Sequence, residues 1–209
     1  MATSPWPPLA PVEDLQAGRE MSVQEWLDLP EDTEGELVDG RLVEEEVPDA
    51  LHELAVAWLI RVLGNWLGSG GFVMGSELKT LTGEKTGRKP DLTVFLAGRA
   101  APPRRGPIRQ PADILVEVVS PSARDERRDR VDKMAEYAAF GVRYYWLLDP
   151  ALGSFEVFER NAEGNYAKVV GATEGRVDPV PGCSGLVIDL DALWADLARL
   201  ADSDNETAS

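Results

Sequence analysis

The sequence predicts an α/β fold: a mixed central β-sheet flanked by helices, with an N-terminal helix and hairpin ahead of it and a C-terminal antiparallel hairpin. Three observations carry that prediction. The segment ILVEVVS, residues 114–120, is a near-continuous apolar run closed by turn residues, the pattern of a strand covered on both faces. Two stretches with apolar residues at helical spacing, one before and one after the strand-rich middle, supply the covering helices. SFEVFER and NYAKVVG then alternate with period two on either side of Asn161 to Asn165, which reads as an antiparallel hairpin.

The elements follow in order. Residues 1–20 are rich in proline without periodic pattern and read as a loose tail, ahead of a single domain over residues 21–200. Ser22, with Glu25 three positions on, forms a capping box before the short helix VQEWLDL, which Pro30 stops. GELVDGRLVEEE is a hairpin turning at Asp39-Gly40. A long helix from about Asp49 to Leu67 sets Leu51, Leu54, Trp58, Leu59 and Val62 along one stripe. FVMGSELKTLT, PDLTVFLA and ADILVEVVS read as strands. The next helix runs from about Ala123 to Phe140, with Val131 expected to pack inward, and ends at Gly141, a residue suited to the left-handed position past a helix end. RYYWLLD is a strand closed by Asp149-Pro150, the hairpin follows, and LDALWADLARL is a closing helix. Residues 201–209 have no apolar residue beyond alanine and read as a disordered tail.

Composition narrows the function. With 209 residues and 44% hydrophobic content the chain can bury one substantial core. No apolar stretch approaches the ~20 residues of a membrane span, and the N-terminus lacks the basic and apolar segments of a signal peptide, so a cytoplasmic location without membrane association is expected. One cysteine and one histidine exclude a Cys/His zinc cluster, leaving carboxylates to hold any metal. The formal charge of −16 opposes broad adhesion to nucleic acid. A local exception is the interval between Asp91 and Asp113, which has no acidic residue but carries Arg99, Arg104, Arg105 and Arg109. Solvated surface is one reading of these arginines and phosphate binding the other.

The chemistry centres on Glu117, a carboxylate inside the apolar run. Burying it ionised costs several kcal/mol without a partner, by the order of magnitude for desolvated charges. Asp91, after Pro90, opens the neighbouring strand. Two convergent carboxylates with no arginine between them repel unless a cation joins them. Hard oxygen ligands without histidine or cysteine suit Mg²⁺ or Mn²⁺. On the following helix Asp129, Lys133 and Tyr137 recur every four residues and share a face, which brings Lys133 towards the carboxylates; a surface lysine paired with Asp129 is the alternative. His52 stands at the start of the long helix, either touching substrate or merely capping.

KPDLTVFL, ILVEVVSPSARDERRDRVDKMAEYAAFGVRYYWLLDP and the preceding GELVDGRL resemble the Uma-two family of putative restriction endonucleases, within the PD-(D/E)xK nuclease superfamily. The resemblance covers about Met21 to Leu197 and implies a restriction-endonuclease-like fold. It also implies a hydrolase, a Mg²⁺-dependent endodeoxyribonuclease, whose partner is nucleic acid, DNA first, with a homodimer allowed. Its catalytic residues would be Asp91, Glu117, Lys133 and Glu36, and the metal would sit on Asp91, Glu117, the Val118 carbonyl and Glu36, the last directly or through water. Asp129, Tyr137 and His52 would support them, and Arg99, Arg104, Arg105 and Arg109 would contact nucleic acid. The sequence departs from the parent pattern in one place: the strand position that usually carries lysine is Val119, so the resemblance moves the lysine to Lys133. Two alternatives stand beside this reading, a catalytically degenerate interaction protein that keeps the fold and a phosphodiesterase acting on RNA or small nucleotides.

Overall fold

The computed structural model describes residues 18–30, 33, 35–43, 48–76, 78–120 and 127–200. The expectations for the tails therefore fall outside the described residues at 1–17 and 201–209. Gly18 to Glu20 are held against the first hairpin: the Gly18 N–H donates to the Leu42 carbonyl and the Leu42 N–H to that of Arg19.

Helix α1 (Val23–Asp28) opens at the Ser22 capping box, with Ser22 and Glu25 exchanging hydrogen bonds. Strands β1 (Glu36–Val38) and β2 (Arg41–Val43) form the hairpin. Its turn residues Asp39 and Gly40 both have positive φ, 49° and 77°, the geometry that matches the twist of the flanking strands. Asp49 caps α2 (Ala50–Leu67) by accepting from the His52 N–H. The stretch FVMGSELKTLT does not form one strand. It divides into β3 (Phe72–Met74) and β4 (Thr80–Leu81), which enter different sheets. Strand β5 (Gly87–Arg88) pairs with β1 and β4, giving a small sheet of order β2-β1-β5-β4 that the sequence pattern does not announce. Gly87 is required there, because a Cβ would lie 2.3 Å from the ring of Trp26.

The central sheet has the order β10-β9-β8-β7-β6-β3, built from β6 (Leu92–Phe95), β7 (Ile114–Val118), β8 (Tyr144–Asp149), β9 (Ser154–Arg160) and β10 (Tyr166–Ala172) with β3 at the edge. Only β7 and β8 pair in parallel, so the sheet is mixed. Residues 121–126, including the expected start of the next helix, lie outside the described residues. The helix then runs as a π-helical stretch, Arg128–Lys133, into α3 (Met134–Phe140), and Gly141 ends it at φ 101°. Strands β11 (Arg176–Val177) and β12 (Ile188–Asp189) pair before α4 (Leu190–Leu197) closes the chain.

Strand alternation divides the core into two faces. Val116 and Val118 of β7 and Leu92 and Val94 of β6 meet α2 and α4. Leu115, Val119, Phe95 and Tyr145 meet Tyr137 of α3 on the other. Glu117, between Val116 and Val118 in sequence, therefore projects to the α3 face. A third cluster joins Trp26 of α1 to Leu37, Leu42 and Leu81 of the small sheet. Among the described residues no helix is long and apolar enough to cross a membrane.

Candidate active site

Glu117 lies in the middle of β7, 2% exposed. The antiparallel register pairs Leu92 with Val116, which sets Asp91 opposite Glu117 on the same face. Asp91 Oδ2 accepts the Val118 N–H at 2.7 Å and lies 3.2 Å from His52 Nε2. Its side chain is 16% exposed, so this end of the pair opens to solvent. α2 thus brings the one histidine onto an acidic site residue.

The positive charge comes from the helix after β7. Lys133 Nζ donates to Glu117 Oε2 at 2.9 Å and lies 3.4 Å from Asp129 Oδ1 and 3.7 Å from Glu36 Oε1. The Tyr137 hydroxyl donates to Glu117 Oε1 at 2.7 Å. Asp129, Lys133 and Tyr137 are all buried. In an α-helix eight residues accumulate about 80° beyond two full turns, which would swing Asp129 away from Tyr137. The wider i→i+5 winding of Arg128–Lys133 takes up that drift and keeps the three side chains aligned on the sheet. The same winding turns Val131 outward, 55% exposed, against the sequence expectation that it packs inward. The Tyr145 hydroxyl donates to the Asp129 carbonyl at 3.0 Å and ties the π turn to β8.

The other lysines close to Asp91 in sequence are engaged elsewhere. Lys79 donates to the carbonyls of Trp26, Leu27 and Leu29 at the end of α1, and Lys89 Nζ to that of Thr33. Behind the carboxylates, Glu36 accepts from Arg88 Nη1 at 2.7 Å and from the Lys89 N–H at 2.8 Å. Arg88 also grips Glu136 of α3, so the small sheet, Lys133 and α3 form one buried ion network. Arg88 and Glu136 are site residues that the sequence pattern does not single out. A signal is nevertheless present: a basic pair, Arg88-Lys89, stands directly before Pro90-Asp91, and a buried Glu36 demands a cation.

Burial pushes the Glu117 carboxyl up to about 8; Lys133 pulls against it, and Asp91, Asp129 and Glu36 add to it. Burial also acts to raise Glu36, but Lys133, Arg88 and the Lys89 N–H outweigh it and hold that carboxyl at about 2. Asp129 is raised by burial despite Lys133 and Arg128, and its Oδ1 is buried without a hydrogen bond. Burial lowers His52, yet Asp91, Glu53 and Asp49 together raise it above the usual imidazole range. Three buried carboxyls, Glu36, Glu117 and Asp129, thus stand against two buried cations, Lys133 and Arg88, and Glu117 favours its protonated form. Among the described residues no three His, Cys, Asp or Glu side chains surround one point as a ready metal cage.

The arginine loop divides. Arg99 has an acidic partner after all, because Asp113, just past the loop, lies 3.2 Å from its Nε. Arg104 and Arg105 are exposed and make no ion pair among the described residues. Arg109 points to a separate surface near Val23, Leu81 and Phe140.

A mixed sheet with Pro90-Asp91 just before one strand, Glu117 on the next and helices on both faces defines the class of restriction-endonuclease-like folds. Residues 23–191 match the family model described as "Uma2: Putative restriction endonuclease", and the chain belongs to that family. Its fold is shared with a crystal structure from Anabaena variabilis described as a putative nuclease belonging to DUF820. That match has TM-score 0.68 and 20% identity, over 85% of this chain and 99% of the other. No curated protein matches the sequence.

Proposed function

We propose that the protein is a metal-dependent nuclease that hydrolyses phosphodiester bonds, with DNA as the first substrate to test. One observation carries the reading: a buried carboxylate, Glu117, touches the Lys133 ammonium while Asp91 faces it from the next strand at a solvent-open edge. The donor set suits a hard divalent ion. Each Glu117 oxygen accepts one hydrogen bond and keeps a lone pair, and the second Asp91 oxygen accepts none among the described residues. Mg²⁺ needs only one or two carboxylates beside water and phosphate, so a three-residue cage is not required.

On this reading Asp91, Glu117 and the Val118 carbonyl would hold one Mg²⁺ or Mn²⁺. When bound, such an ion polarises the phosphate and lowers the pKa of a bound water. Lys133 offsets the charge that grows on the phosphate oxygens. Asp129 and Glu36 position Lys133 from either side; Glu36, with both oxygens already bonded, would reach the ion only through water. Tyr137 fixes the Glu117 rotamer, and His52 orients Asp91.

The test is cleavage of DNA, RNA and cyclic dinucleotides with and without Mn²⁺, with Glu117→Ala as control. Metal-dependent cutting of DNA that disappears in the control supports the proposal. Cutting confined to RNA or cyclic dinucleotides replaces the substrate, and no cutting by protein that still binds Mn²⁺ leaves the non-catalytic alternative.

A further inference from the structure

A cavity lies near this site, on the same face of the sheet. It encloses about 650 Å³, within the ordinary range for a small-molecule pocket. Leu27, Leu29, Met74 and Leu78 make an aliphatic floor, and Arg104 and Arg105 stand on its rim. Met74 pairs with Thr93, two residues along β6 from Asp91, and packs into the apolar cluster on the Glu117 side. With a strand rise of about 3.3 Å and a strand spacing of about 5 Å, the Met74 wall lies roughly 8–9 Å from Asp91, Cα to Cα. That lies between one and two nucleotide steps along an extended strand.

The chemistry of the pocket is divided in the way a nucleotide is. Its floor is apolar, its rim carries guanidinium groups without ion pairs among the described residues, and no described lining residue is acidic. The chain as a whole, at −16, is poorly suited to cover the dense charge of a duplex. We infer that this pocket receives one unpaired nucleotide of the strand to be cut, its base against the aliphatic floor and its flanking phosphates on Arg104 and Arg105. Side chains that sandwich an extruded base need not be aromatic, and a guanidinium plane can cover it from above. The inference rests on the nuclease reading for its substrate and narrows that substrate to single-stranded or locally opened nucleic acid.

Binding measured in EDTA separates the pocket from catalysis. A twelve-nucleotide thymidine strand should bind about tenfold more tightly than an abasic strand of the same length, a typical size for one seated base. Ser76, exposed at the mouth of the pocket, gives a filling variant: Ser76→Trp should bring the thymidine strand down to the abasic level. The double variant Arg104→Ala/Arg105→Ala should weaken both strands and flatten the slope of log K against log salt by about 1.4, at about 0.7 for each phosphate of a single strand that is no longer neutralised. Equal binding of the two strands, or no effect of Ser76→Trp, overturns the pocket assignment and leaves any Mn²⁺-dependent cleavage untouched. If the binding results hold while no substrate is cut, the nuclease reading fails and the pocket remains a single-strand binding site.

Discussion

Replacing Lys133 with methionine keeps most of the stem's packing and removes one charge from a cluster that water barely reaches. From the sequence alone, folding should change little. The structure alters that expectation, because Lys133 is 2% exposed and lies within 3.7 Å of three carboxylates, Glu117, Asp129 and Glu36. Removing one partner of a buried ion pair costs about 3–5 kcal/mol, against about 0–1 for an exposed one. Part of that penalty is recovered when a carboxyl takes up a proton, and Asp129, raised by burial and held down by Lys133, is the group placed to do so, because Glu117, raised to about 8, already carries its proton below that pH. A carboxyl raised in the folded state contributes stability below its unfolded value, near 4.5, and loses it as pH rises through the folded value. Without Lys133 the Glu117 and Asp129 carboxyls rise further, and since the parent's Glu117 ionises only near 8, the variant's deficit should grow from pH 5 to pH 9. Urea denaturation in EDTA at both pH values reads this directly. Cleavage should fall about 10²-fold or more, the usual size for one charge-stabilising group. A deficit below about 1 kcal/mol at both pH values, set against that scale for exposed pairs, would refute the account of Lys133 as the cluster's buried cation.

Three further outcomes follow from the same geometry. Metal binding should release protons and tighten as pH rises towards 8, since a ligand carboxyl must ionise first; calorimetry in two buffers of different ionisation enthalpy reads the release, and none at pH 6.5 would contradict it. Arg88→Met strands Glu36 and Glu136 and should cost about 3–5 kcal/mol in urea denaturation. Gly87→Ala drives a methyl into the Trp26 ring and should cost about 1–3 kcal/mol, with a blue or red shift of tryptophan emission marking the site of the damage.

Elements whose signals are local were legible in the sequence. The Ser22–Glu25 box, the Asp39-Gly40 turn and the Gly141 stop each depend on two to four adjacent residues, and each stands where the pattern puts it. What pairs distant residues was not legible. β5 is too short for a periodic signal and exists because Trp26 packs against a glycine. The π winding leaves the four-residue spacing of Asp129, Lys133 and Tyr137 unchanged in sequence while turning Val131 outward. The Arg88 link between Glu36 and Glu136 joins residues 52 and 48 positions apart, which spacing alone cannot reveal.

The central claim is that Asp91 and Glu117 share one divalent ion, and anomalous scattering from crystals soaked in Mn²⁺ tests it most directly. The account predicts a peak between the two carboxylates, bonded to both, within reach of the Val118 carbonyl, and absent from Glu117→Gln crystals soaked alongside. A peak elsewhere, or two carboxylates still bound only to Lys133, Tyr137, His52 and the Val118 N–H at saturating Mn²⁺, would contradict it.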